Sequence, residues 1–147
     1  MLLLLLRTSA FLLALLPVPA AAQLEMAGCK AYEPSLVSLQ GTLVRETVAG
    51  PPNYRDIRKG DDPETIWVLK LESPFCMDED KAQPDLNPSQ RNIRKVQLVL
   101  NNEHGERANS LRGKRVVATG TLFGAHTGHH HTPVLLTVTY LDLPHWK

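Results

Sequence analysis

Past residue 22 the sequence has no apolar run long enough to cross a bilayer as a helix, few aromatics, two cysteines and no excess of either charge. The first lack predicts a mature chain with no transmembrane segment. The aromatics that remain are Tyr32, Tyr54, Trp67, Phe75, Phe123, Tyr140 and Trp146, too few for a platform on which bases stack. Lys and Arg number 16, one of them Arg7 in the opening segment, against 15 Asp and Glu, so the remainder is close to neutral. Nucleic acid calls for a basic surface, and none is on offer. No Ser-His-Asp order, phosphate loop or reactive-cysteine setting stands out. Asp61-Asp62 and Asp78-Glu79-Asp80 lack the spacing of a calcium loop and read as solvated charge clusters.

The opening segment, MLLLLLRTSAFLLALLPVPAAAQ, has the build of a secretory signal peptide. Arg7 supplies a positive charge, Phe11 to Leu16 an apolar core, and Ala20 to Ala22 a small-residue cleavage site. Removing residues 1–22 leaves residues 23–147, enough for one small domain with a core of its own. The expected address is therefore periplasmic or secreted. In such a compartment Cys29 and Cys76 most simply form one disulfide. A rival reading takes Met26-Ala27-Gly28-Cys29 as a lipoprotein box, with Cys29 acylated, although Gln23 and Glu25 fall where such a signal is apolar.

The rest reads as five strands and a helix. Leu36 to Val48 is a first strand, with Val37, Leu39 and Leu43 on one face and Gly41 where a long strand would bend. A turn-rich stretch from Ala49 to Glu64 follows, whose Tyr54 and Ile57 either cover the end of the fold or face a ligand. Thr65 to Glu72 is a second strand, with Trp67, Leu69 and Leu71 inward and Pro74 ending it. Ile93 to Leu100 is a third. Between Asn101 and Gly113 lies one short helix with a glycine stop. Lys114 to Phe123 and Pro133 to Asp142 complete the set, the last with Val134, Leu136, Val138 and Tyr140 on one side. Five strands with a helix between the third and fourth predict a mainly β fold, a five-stranded OB-fold-like Greek-key barrel. A small β-sandwich is the alternative, because strand count alone does not separate the two.

The loop before the fifth strand carries His126, His129, His130 and His131. Neutral imidazole is a common ligand for zinc, copper and nickel, and three suffice for an open site. In extended backbone His129 and His131 share a side that His130 does not. A turn at Thr127-Gly128 would return His126 to them, giving a metal set of His126, His129 and His131 with His104. The plainer reading makes the loop structural, its rings bonded to backbone. A third gives Tyr54, His126, His129, His130 and His131 a ligand-contacting role without metal.

GPPNYRDIRKGDDPE, LESPFC and GTLFGAHTGHHHTPVLL together resemble an uncharacterised bacterial exported family, catalogued as domain of unknown function 4431. The resemblance runs from about Cys29 to the fifth strand. It implies export and no established activity, and it carries no functional residues over. The sequence thus points to an exported, non-enzymatic binding module for a protein, peptide or glycan of the cell envelope, the alternative being a transition-metal binder. Hydrolysis ranks last, since no carboxylate lies close in sequence to the histidines to act as base.

Overall fold

The computed structural model describes residues 28–145, so the leader read over 1–22, and Trp146, lie outside the described residues. Its strands are β1 (Leu36–Ala49), β2 (Pro63–Met77), β3 (Gln90–Val99), β4 (Arg115–Gly124) and β5 (Val134–Asp142), with one helix, α1 (Asn102–Leu111), between β3 and β4. They close in the order β1-β2-β3-β5-β4, so that β1 pairs with both β2 and β4. Only β3 and β5 run parallel. This is the OB-fold ring, and the expected barrel is the architecture found.

One strand serves two partners because it bends at Gly41, which faces Leu71 on β2 and Val116 on β4. A Cβ there would collide with the carbonyl of Lys70, so the crossing needs glycine. Inside the ring, Leu39, Leu43, Leu69, Val96, Leu98, Val116, Leu122, Leu136 and Val138 form the core, with Ala108 and Leu111 of α1 packed into it. The helix starts at Asn101, whose side chain accepts from the His104 amide at 2.8 Å, and stops just before Gly113, whose φ is 78°.

Two details of the strands depart from the pattern in the sequence. Pro74 does not end β2, which runs on to Met77. The β2–β3 register is broken between Lys70 and Phe75, so the proline sits where the ladder asks for no N–H. In β5 the alternation fails after Val138: Leu141 is buried and Tyr140 is exposed. The register with β4 skips a residue between Tyr140 and Val138, and this bulge reverses which residues face inward. Of the second strand's expected core residues, Leu69 is fully buried, whereas Trp67 and Leu71 are only partly so. Trp67 lies toward one end of the barrel, where the Arg45 guanidinium stacks over its ring at 5.6 Å.

Cys29 and Cys76 are disulfide-bonded. The bond ties the entering chain to the end of β2, where the Lys30 amide also donates to the Cys76 carbonyl at 2.8 Å. A paired Cys29 has no thiol left for a lipid, so the structure takes the disulfide reading over the lipoprotein box. Disulfides persist in oxidising compartments, which agrees with an extracytoplasmic address.

Because the Gly41 clash is with backbone, it cannot be relieved by a rotamer change. Gly41→Ala is expected to destabilise by about 1–3 kcal/mol, the usual range for overpacking, read as a lower urea midpoint. A midpoint equal to that of the parent would show that β1 bends elsewhere.

Candidate functional site

In-register residues on neighbouring strands point to the same face of a sheet. Val68 on β2, Gln97 on β3 and Leu135 on β5 form such a row. The row faces outward, yet Val68 and Leu135 are fully buried and Gln97 is 8% exposed. The cover is the histidine loop, folded back over the outside of the barrel. Gln97 holds it at three points. Its Nε2 donates to the His129 carbonyl at 2.9 Å, and its Oε1 accepts from the His131 amide at 2.8 Å. Its own amide donates to Thr132 Oγ1 at 2.9 Å, and that hydroxyl donates onward to the Val134 carbonyl at 2.7 Å.

The β1–β2 loop is built around Asp61. Its carboxylate accepts from the amides of Asn53, Arg55 and Asp56 and from the Asn53 side chain, at 2.8 to 3.0 Å. Those bonds, the Asp56 and Arg55 amides foremost, hold its pKa down to about 2. Asp61 is thus buried rather than the solvated charge its sequence context suggests. The bonds on either side of Tyr54 hold that residue at a φ of 57°, a conformation uncommon for a bulky side chain.

The two loops meet at Tyr54. Gly128 lies against its ring, and a Cβ there would stand 2.6 Å from two ring carbons. The Tyr54 hydroxyl is 3.1 Å from His129 Nε2, with the two rings edge to face. On its other side His129 Nδ1 lies 2.9 and 3.0 Å from the two oxygens of Glu64, a residue near the start of β2. A carboxylate only accepts, so Nδ1 carries a proton; when the ring is neutral, Nε2 then accepts from the Tyr54 hydroxyl. His131 approaches the same carboxylate, its Nε2 3.5 Å from Glu64 Oε2. That contact is no hydrogen bond, and the buried Nε2 has no partner.

The four loop histidines therefore divide into two pairs. His129 and His131 share a side, as alternation implies, and converge on Glu64. His126 joins His130 instead. The loop turns with the His130 amide on the Thr127 carbonyl at 3.2 Å, and the His126 amide donates to His130 Nδ1 at 3.1 Å. His126 Nδ1 donates to the Gly124 carbonyl at 3.0 Å, and the two rings pack edge to face at 4.6 Å beside Phe123. Burial, and after it the neighbouring imidazoles, lower the His130 pKa, consistent with a bare Nδ1 that accepts. His104 is not brought to the loop. It lines a hollow of about 770 Å³ with Arg107, Tyr140 and Asp142, between α1 and the second half of β5, and its Nδ1 is buried without a hydrogen-bond partner. Among the described residues, no three His, Cys, Asp or Glu side chains stand ready to hold a metal ion.

Residues 95–142 match the family described as Domain of unknown function (DUF4431). Over those residues the chain resembles it. The span holds Gln97 and all four loop histidines, whereas GPPNYRDIRKGDDPE and LESPFC lie outside it. No curated protein and no solved structure matches the chain.

Glu64 and Gln97 are the two site residues that the sequence does not single out. Glu64 is hidden at the end of an acidic run, GDDPE. Gln97 has a faint signal, an uncharged polar residue inside the apolar run VQLVL.

Gln97→Leu would strand the His129 carbonyl and the His131 amide without partners. Both bonds are only partly buried, so the expected cost is about 1 kcal/mol for each one lost, with faster hydrogen exchange at His131. Unchanged exchange there would show the loop is held by something else. For Asp61, a folded pKa of about 2 lies below the ordinary value near 3.9. Its stabilisation is therefore full above roughly pH 4 and lost as pH falls through 2. Asp61→Asn should melt several degrees below the parent at pH 7, with the gap closing toward pH 2; a gap independent of pH would contradict this.

Proposed function

We propose that this chain is an exported, non-enzymatic binding module that contacts a peptide, glycan or protein of the cell envelope through Tyr54, His126, His129, His130 and His131. The observation that carries the reading is the joining of the two loops across the outside of β2, β3 and β5. In OB-folds the strand 2–3 face and these two loops are the recurrent ligand surface. In this chain the loop seated on Gln97 covers part of that face, so a ligand would meet Tyr54 and the imidazoles rather than bare strands. Both loops are pinned by hydrogen bonds, and a surface already ordered loses little entropy on binding. Hydrolysis gains nothing from Glu64, whose oxygens already accept from His129.

A second reading, a binder of zinc, copper or nickel, is favoured by one specific observation. A carboxylate distant in sequence meets two imidazoles, which is donor chemistry suited to such ions.

Two-dimensional amide NMR of the protein, titrated with envelope-derived glycan fragments and peptides, tests the module. Saturable shifts should centre on residues 53–56 and 126–131. Shifts confined to the hollow beside α1, or to the disulfide end, would overturn the assigned surface.

A further inference from the structure

We propose that the Cys29–Cys76 disulfide is a site of thiol–disulfide exchange, attacked at Cys76 by an anionic thiol and releasing Cys29 as a thiolate beside Arg91. The bond lies at the end of β2, whereas Glu64 stands near its start, so this site is independent of the loop surface above.

Both cysteines are partly exposed. Beside them is a cleft of about 330 Å³ whose lining includes Lys30, Phe75, Cys76, Arg91 and Asn92. Cys76 lines it and Cys29 does not, so a reagent in the cleft meets the Cys76 side of the bond. Among the described residues of that lining, Lys30 and Arg91 are the charged ones and no carboxylate is present. The acidic run Asp78-Glu79-Asp80 lines a separate hollow with Glu33. The Lys30 ammonium stands over the Phe75 ring, 5.9 Å from its centre. A cleft of this sign draws an anionic thiol and disfavours a cationic one.

Arg91 sets the direction of the exchange. Its guanidinium donates to Cys29 Sγ at 2.8 Å, and among the described residues it is the only donor to either sulfur. The sulfur whose thiolate is better stabilised leaves faster, and a neighbouring Arg cation stabilises a thiolate. The attacking thiolate bonds to Cys76 Sγ, the S–S bond breaks, and its electron pair stays on Cys29 Sγ, facing the guanidinium. A second molecule of the thiol attacks the first where it is bound to Cys76, and Cys76 leaves in turn. Two thiols are thereby oxidised to one disulfide, the protein gains two electrons, and the protons the thiols lost return to Cys29 and Cys76.

Reduction leaves the two cysteines side by side, because bonds that do not involve sulfur hold the entering segment. The Lys30 amide donates to the Cys76 carbonyl at 2.8 Å, and the Asp78 amide to the Lys30 carbonyl at 3.0 Å. Further on, the hydroxyl of buried Tyr32 donates to the Pro88 carbonyl at 2.8 Å, and the Glu33 amide to the Leu122 carbonyl at 2.8 Å. The pair is therefore placed to re-form its bond when a disulfide of the same thiol is offered.

The test treats the untagged, oxidised chain with glutathione, a thiol of net negative charge, stops the reaction by alkylation and places the adduct by peptide mass spectrometry. The first adduct is expected on Cys76, with Cys29 alkylated, in about tenfold excess over the reverse. Arg91→Gln should slow the second-order rate by about 3–10-fold and even out the two adducts, while Arg91→Lys keeps most of both. Arg91 is exposed, so neither variant puts the fold at stake. At equal thiolate concentration the cationic thiol cysteamine should react more slowly than glutathione, with the gap closing at high salt. The reduced chain should keep the dispersed amide spectrum of the barrel. Adducts mainly on Cys29, an Arg91→Gln rate equal to the parent's, or a reduced chain that unfolds would each overturn the proposal. So would a rate that ignores thiol concentration and follows unfolding in urea, which would leave the bond a structural staple.

Discussion

The amide of Gln97 is the constraint on which the rest of this site depends. A primary amide buried on β3 would be costly if its donors and acceptor were unmet, because each lost its hydrogen bonds to water on folding. Here the oxygen and the nitrogen each meet a backbone group of the histidine loop, two residues apart at His131 and His129. The two bonds fix the loop's distance from the barrel and its register along β3. Burial of Ile66, Val68 and Leu135 on the outside of the ring follows from that cover. So does the arrival of His129 and His131 above Glu64, which lies on the same face of β2 by strand alternation.

A second constraint meets the first. Asp61 gathers three amides of its own loop, two of them flanking Tyr54, and the Tyr54 amide bonds the Gly50 carbonyl, so the loop presents the Tyr54 ring to the histidine loop. Nothing in the histidine loop could accept that ring except a residue without a side chain, and Gly128 is the residue present. Joined, the two loops share an aromatic contact, a hydroxyl–imidazole bond and a carboxylate–imidazole bond. The joint is polar, so it contributes geometry more than stability: exposed pairs of this kind are worth about 1 kcal/mol or less.

The fold is legible in the sequence because its signals are local. Val and Leu alternation marks the strands, Gly41 marks the bend, and the Asn101 to Gly113 interval holds a helix with both caps in place. Tyr140 departs from the alternation because a bulge is a matter of register with β4, which no single strand records. Pro74 misleads for the same reason: whether a proline interrupts a strand depends on whether a partner wants its N–H. At the site, the histidines are visible as a group and Glu64 is not. Its partner His129 is 65 residues away, and only ring closure brings β2 beside the loop.

Four imidazoles within six positions do not make one site, and the reason is steric before it is electrostatic. The turn that closes on Thr127 uses up the backbone freedom that would have let all four rings converge, and sends His126 toward His130. A common centre would also have set four titratable rings against one carboxylate. The lowered His130 pKa, caused by burial and then by its neighbours, marks the repulsion already present at the separation they have. One pair is turned to Phe123 and the loop backbone, where it shapes the turn. The other faces the carboxylate near the start of β2, with Tyr54 and Glu64 on either side of His129, so the loop presents two different imidazole surfaces rather than one centre.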